Sequence, residues 1–285
     1  MNVVFVLSDY VLHNRIIADY VAARPQDRVA IVKVPLVLKG RSRVETALRI
    51  APQLSRRFLL GKILEGLVLA AITVLPKVMR RGAVFRRLRT VACRHRLPYL
   101  RTRNVMSEEA LGFVRAQAPD VVVTLFHQIV RRPLLDLPRL GVVNIHPGLL
   151  PEFRGIQPYF WELAERHGRA GATLHLIEDE TIDTGRVLAR AEYVTWPGMS
   201  VQLNYYLAAQ ASARLLPRCL EALEAGRVVP AAQPDGGAYY RWPDSVAFDR
   251  LEAAGHALFR WRDLWGILAG RYDESAAEET LSSAA

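Results

Sequence analysis

The chain opens on an unbroken apolar run, Val3-Val4-Phe5-Val6-Leu7, the pattern of a strand covered on both faces. A helix is expected over residues 12–23, and VAIVKV (29–34) reads as a second buried strand. The stretch beyond reads as mostly helical, with a short strand around 95–100. Ser107, followed by Glu108, Glu109 and a helical apolar period, predicts an N-capped helix ending near Ala118. VVVTLF after Asp120 predicts another buried strand, residues 133–137 a short helix, and VVNIH after Gly141 a further strand. Residues 172–177 and 186–194 read as two more strands joined by EDETIDTG, followed by a long helix over 201–225. After Val228 the pattern weakens to a hairpin and one helix, and ESAAEETLSSAA has the composition of a disordered tail.

Strands alternating with helices predict an α/β fold with an open, mostly parallel sheet. The expected division is a main unit over 1–228 with an insert at 39–103, a small appendage over 229–273, and the tail 274–285. In open sheets of this kind sites form beyond the carboxyl ends of the strands. Two polar strand ends stand there: Phe126-His127-Gln128 and Asn144-Ile145-His146.

Composition narrows the setting. A hydrophobic fraction of 51% with 23% charged residues excludes wholesale disorder. Two distant cysteines, Cys93 and Cys219, make no disulfide scaffold and point to a reducing, cytoplasmic compartment. The first residues lack the basic flank and cleavage site of a signal peptide, and no stretch reaches the roughly 18 uncharged apolar residues of a bilayer-spanning helix. The net charge of +10 is unevenly placed: residues 39–103 hold 17 Lys or Arg against Glu45 and Glu65, so the remainder of the chain is net acidic. Within it, 56–81 brackets an apolar stretch, Phe58 to Leu75, between Arg pairs. A helix buried on the sheet, a helix lying on an anionic membrane surface as a peripheral contact at its inner face, and an RNA contact all fit such a segment. The scarcity of aromatic residues among the arginines weakens the last.

The chemistry concentrates in two segments. Asn144 and His146 stand at i and i+2, so on a strand they project from one face. An amide donor beside an imidazole suits acyl transfer: one can hold a developing oxyanion and the other can donate to it or move a proton. Backbone satisfaction and strand capping are the plain alternatives. The loop PGLLPEFRG follows, stiffened by Pro147 and Pro151, with Gly148, and with Arg154 before Gly155. Asp183, in IDTGR, is a carboxylate able to orient and charge an imidazole, or simply a turn residue. His175 reads as a core or strand-surface histidine. GxGxxG, Walker, HExxH, CxxC and GxSxG patterns are missing from the sequence, and the seven histidines show no metal-ligand spacing, so no metal is expected.

Together, GVVNIHPGLLPEFRGIQPYFW (141–161) and ATLHLIEDETIDTGRVL (172–188) resemble the formyltransferase family that uses 10-formyltetrahydrofolate, which acts on glycinamide ribonucleotide, methionyl-tRNA or sugar-nucleotide amines. The resemblance rests on an Asn-x-His strand end, a Leu-Leu-Pro loop and an Asp-x-Gly 37 residues after the histidine, and it is strong over 107–225. It implies a Rossmann-like sheet with helices on both faces. It also implies that Asn144, His146 and Asp183 are catalytic, Asn144 and His146 donating to the oxyanion while Asp183 holds His146 and orders a water. The pterin would lie between Phe126, His127, Gln128, Ile129 and Val130 on one side and Asp179, Glu180, Thr181 and Ile182 on the other, with Gly148 and Arg154 toward the acceptor. Gly148 stands where the family commonly has Ser, and the loop Ser8-Asp9-Tyr10 lacks the Gly-rich phosphate turn of the purine enzymes. The implied reaction is formylation of a primary amine on a small molecule, an amino sugar on a nucleotide or lipid carrier. Methionyl-tRNA formylation, hydrolysis of the formyl donor and folate binding without catalysis stay open, as does a homodimer contact through the C-terminal segment.

Overall fold

The computed structural model describes residues 1–8, 10–35, 45–46, 49, 51–74, 87–272 and 278–282. Eight strands form one sheet in the order β10-β8-β7-β5-β4-β1-β2-β3. Its parallel half contains β1 (Asn2–Ser8), β2 (Arg28–Val34), β3 (Tyr99–Arg101), β4 (Val121–Leu125) and β5 (Gly141–His146). β7 (Arg169–Ile177), β8 (Val187–Val194) and β10 (Glu278–Leu281) continue it in antiparallel pairing.

Strand alternation sorts the core into two layers. Val3, Phe5 and Leu7 of β1 pack with α1 (Val11–Ala23), α3 (Leu88–His95) and the second half of α6 (Val201–Glu224). Val4 and Val6 face the other way, against α4 (Glu108–Ala116) and Leu134. Helices therefore cover both faces of a sheet whose strands are nearly all apolar. Ser107 caps α4 by accepting from the Ala110 N–H at 3.3 Å, and Ser200 caps α6 through the Leu203 N–H at 3.2 Å.

A further apolar cluster joins α2 (Arg56–Val74), α5 (Pro158–Ala164), the first half of α6, α7 (Ser245–Ala253) and α8 (Trp261–Leu268). Phe58, Phe160 and Phe248 meet there, with ring centroids 5.5 to 6.4 Å apart.

Four details depart from the expectations. Residue 95 still belongs to α3, and the strand begins at Tyr99. The short helix expected over 133–137 is a 3-10 turn, Leu134–Asp136. Among the described residues no hairpin forms after Val228. Instead β9 (Ala238–Tyr240) lies parallel to β6 (Phe153–Gly155), where Tyr240 stacks on Phe153 at 5.5 Å, and two helices follow. Part of the expected disordered tail is ordered as β10: Glu278 pairs with Arg169 at 2.7 Å and Glu279 with Arg214 and Arg218, so edge pairing and ion pairs outweigh a weakly apolar composition.

Candidate active site

Val142 of β5 faces the α4 layer, so Asn144 and His146 project on that side, at the carboxyl end of the strand. β4 places Thr124 beside them, and antiparallel β7 places His175 directly opposite Asn144. The Thr124 hydroxyl reaches Asn144 Oδ1 at 2.9 Å, and Asn144 Nδ2 lies 3.0 Å from His175 Nε2. His175 Nδ1 faces the Leu176 carbonyl at 2.9 Å. A carbonyl only accepts, so the hydrogen sits on Nδ1 and Nε2 accepts from the Asn144 amide. This chain of bonds fixes the amide orientation and leaves Asn144 a second N–H.

His146 is anchored in a parallel way. Its Nε2 donates to the Phe153 carbonyl at 2.7 Å, so in the neutral ring Nδ1 carries the lone pair. That atom faces Asp183 Oδ2 at 3.6 Å, while Asp183 Oδ1 is 3.5 Å from His175 Nε2. The carboxylate thus stands between two imidazoles. The expected gathering of Asn144, His146 and Asp183 is present in space. The role of His146 changes, because the hydrogen of its neutral ring is given to a backbone carbonyl and not left free for a substrate oxygen.

Asp183 is held by its backbone as well as its charge. It adopts the left-handed conformation (φ 56°), which Asp tolerates better than most residues. The Gly155 N–H donates to its Oδ2 at 2.8 Å. Two residues on, a Cβ at Gly185 would fall 1.8 Å from the Leu176 carbonyl oxygen, so only glycine allows this approach. Gln233 Nε2 donates to the carbonyls of Asp183 and Gly185, both at 2.8 Å. Arg154 in turn donates to Gln233 Oε1 at 2.9 Å and to the Gly236 carbonyl. Arg154 was expected to face the acceptor; its guanidinium instead braces the Asp183 loop through Gln233.

Electrostatics follow from burial. Burial pushes the His146 imidazole below its usual range, and the opposing Asp183 charge does not restore it. Burial alone would raise the Asp183 carboxyl, yet His146, His175 and the Gly155 N–H together bring it down to about 2. At neutral pH the site therefore holds an ionised carboxylate facing an unprotonated, proton-accepting nitrogen.

The loop after β5 is fixed from below. Glu162 is fully buried and accepts from the Leu149 and Gly171 N–H groups and the Asn204 amide at 3.1 to 3.2 Å. Burial still drives its carboxyl well above the usual range. Gly148 is closely packed: a Cβ there would lie 2.4 Å from Pro158 Cβ and 3.3 Å from His146 Nε2. Gly148→Ser, though it restores the residue common in related loops, is expected to lower stability by about 1–3 kcal/mol through overpacking. A melting curve checks this, and an unchanged midpoint would contradict it.

The two segments expected around a pterin lie side by side, joined by an ion pair of Arg131 with Glu180 at 3.0 Å. Ile129 and Ile182 are exposed there. Phe126 is half-buried against the α4 layer, and His127 is exposed within reach of the Asp183 charge. Two side chains are otherwise engaged. Val130 is buried in the core, and Gln128 accepts from the Val105 N–H and donates to the Arg103 carbonyl. Asp179 is occupied by the Thr181 N–H and hydroxyl.

A family model described as Formyl transferase matches residues 68–220, more than half of the chain. The chain belongs to the formyl transferase family. The match starts within α2, well before the strongest sequence resemblance at 107. Methionyl-tRNA formyltransferase of Trichlorobacter lovleyi is 34% identical over 154 residues, 54% of this chain and 48% of that protein. The enzyme of the same name from Halorhodospira halophila is 39% identical over 155 residues, 54% and 49%. The chain spans about half the length of these curated relatives. Among solved structures, a sugar N-formyltransferase from Shewanella sp FDAARGOS_354 covers 99% of this chain and 98% of its own, with TM-score 0.54 and 17% identity. Phosphoribosylglycinamide formyltransferase from Anaplasma phagocytophilum covers 85% and 98%, with TM-score 0.56 and 14% identity. At such identities the likeness is one of fold.

His175 is the site residue that sequence reasoning set aside. Its signal was present: after Arg169, Thr173 and His175 are the polar positions of the strand, two apart and on the face shared with Asn144. His175→Ala is expected to slow turnover about 10- to 100-fold by freeing the Asn144 amide, with His175→Gln recovering part of the rate through its acceptor oxygen. Steady-state kinetics of the two variants test this; equal loss in both would assign His175 another role.

Proposed function

We propose that this chain transfers a formyl group from 10-formyltetrahydrofolate to a primary amine on a small-molecule acceptor, an amino sugar carried on a nucleotide or lipid. The observation that carries the reading is the convergence of the Asn144 amide, the buried His146 nitrogen and the Asp183 carboxylate at one strand end. When bound, the folate supplies a formyl carbonyl attached to nitrogen. Asn144 gives its second N–H to the carbonyl oxygen as negative charge builds there. His146 takes the proton leaving the acceptor nitrogen at Nδ1, directly or through one water, and passes it to the folate nitrogen as the bond from that nitrogen to carbon breaks. Asp183 stabilises the imidazolium in between, and no covalent link to the protein is required.

A small acceptor is supported by the Shewanella sugar N-formyltransferase, whose fold matches almost the whole chain. A Helicobacter canadensis N-formyltransferase of similar fold, TM-score 0.51 and 12% identity, is in complex with folinic acid and dTDP-3-aminofucose. A second reading, methionyl-tRNA formylation, is favoured by the curated relatives and by the basic stretch 39–103. The test is incubation of the full chain with 10-formyltetrahydrofolate and a panel of nucleotide- and lipid-linked amino sugars, methionyl-tRNA, or no acceptor. Turnover with an amino sugar supports the proposal. Turnover with methionyl-tRNA alone selects the second reading, and formate release without acceptor indicates hydrolysis. Folate binding without any turnover overturns formyl transfer.

A further inference from the structure

In mid-helix α2 turns its charged residues, Lys62 and Glu65, inward and its leucines outward, while Arg56 and Arg57 at its start are exposed. Phe58 (2% exposed) and Glu65 (7%) face the protein. Lys62, a cation in mid-helix, folds back to Glu65 at 2.7 Å and over the rings of Phe58 and Tyr159 at 5.7 and 5.8 Å. Glu65 also accepts from the Tyr10 hydroxyl. Gly61 seats the helix against Leu258, where a Cβ would lie 2.3 Å from the leucine. The polar groups are thus spent on the inner face.

The outer face holds Leu60 (67% exposed), Ile63 (52%), Leu64 (46%) and Leu67 (65%). Their spacing of i, i+3, i+4 and i+7 puts them on one side of the helix, where an ordinary surface helix carries its polar residues. α8 extends this face with Trp261 (56%) and Trp265 (64%), one turn apart. Leu64 and Trp261 line an open pocket of about 390 Å³ together with Phe248 and Leu251 of α7 and Leu258 and Phe259. Glu252 is the acidic residue in that lining, and Arg57 pairs with it at 3.3 Å. Arg56 begins the helix, and Arg260 and Arg262 flank Trp261. The stretch 39–103 carries 17 basic residues against two acidic ones.

No helix among the described residues is long and apolar enough to cross a membrane. We propose that the outer face of α2 and α8 docks on the surface of an anionic bilayer, with the leucines and tryptophans entering the boundary between headgroups and acyl chains. Apolar side chains and tryptophans with Arg56 and Arg260 at the helix starts suit that layered medium, while Arg57 is paired with Asp249 and Glu252 and Arg262 with Asp263. The excess of basic residues along the stretch 39–103 of the sequence favours an anionic surface, which a purely apolar protein partner would not need.

The experiment is co-sedimentation of the full chain with vesicles of phosphatidylcholine, with and without phosphatidylglycerol, at low and high salt. The wild type should bind the anionic vesicles, more weakly as salt rises. Leu60→Glu/Leu67→Glu and Trp261→Ala/Trp265→Ala should each lose binding by about tenfold or more, because every substituted side chain forms part of the inserted face. Circular dichroism should not move; the melting midpoint should hold for Leu60→Glu/Leu67→Glu and fall slightly for the tryptophan pair, because Trp261 packs on Phe259. Vesicle binding that is absent in the wild type, or equal in the variants, overturns the proposal. So does a dimer abolished by Leu60→Glu/Leu67→Glu without vesicle binding, which would make the face a contact between copies.

Discussion

Asn144→Ala should slow formyl transfer by about 100- to 1000-fold while leaving the apparent affinity for the donor nearly unchanged, the signature of a lost oxyanion donor. The size follows from how tightly the amide is set. Thr124 holds its oxygen at 2.9 Å and His175 holds one N–H at 3.0 Å, so the remaining N–H points in one direction and pays little reorganisation when charge develops. The fold should tolerate the change. Thr124 keeps the Val143 carbonyl at 3.3 Å as an alternative partner, and the lost hydrogen bonds amount to roughly 1 kcal/mol each. Asn144→Asp should be at least as slow, since it offers an acceptor where a donor is needed and places a second carboxylate near Asp183. Initial rates over a range of donor concentrations separate the two parameters. A loss below about tenfold would remove Asn144 from the account.

Asp183→Asn is expected to cost a comparable factor, about 100- to 1000-fold, with a pH signature of its own. The amide can still accept from the Gly155 N–H at 2.8 Å and tolerates the left-handed backbone, so geometry is preserved while charge is removed. His146 then lacks the anion that opposes the effect of burial, and its pKa should fall further. In the wild type, activity should decline as pH drops through the His146 pKa, below the usual imidazole value near 6.5. In Asp183→Asn that acid limb should move to lower pH. Stability responds as well. The folded carboxyl titrates at about 2, below its ordinary value of 3.8. The stabilisation it gives, about 2 kcal/mol, is therefore complete above the unfolded value and lost as pH falls from about 4 towards 2. Acid unfolding of the two proteins side by side should show this loss only in the wild type, whereas superimposable curves would mean the two imidazoles do not hold the carboxylate.

The strands and helices that build the sheet were legible because their periods are unmixed: VVFVL and VVVTLF have one structural solution each, and Ser107 marks a helix start by its chemistry. Asn144 and His146 could be paired from their spacing alone, since i and i+2 share a strand face. Asp183 stood out as a loop carboxylate, but its pairing with His146 came only through resemblance, because no local period links the two across 37 residues. His175 was lost for the same reason, as its place opposite Asn144 depends on the antiparallel register of β5 and β7. Arg154 misled because its partner, Gln233, lies 79 residues away in the weakly patterned C-terminal segment. The helix at 56–74 was ambiguous because both of its faces are apolar in sequence, and only packing shows which one is covered.

The central claim is that the group at Asn144, His146 and Asp183 moves a formyl unit between two nitrogens. The direct measurement uses 10-formyltetrahydrofolate carrying isotope in the formyl carbon, with mass spectrometry of the acceptor after incubation with the full chain. The account predicts label in an N-formyl acceptor with the wild-type protein, and transfer slowed by about two orders of magnitude or more with His146→Ala of unchanged circular dichroism. Label recovered solely as formate, or transfer at the wild-type rate by His146→Ala, would contradict it.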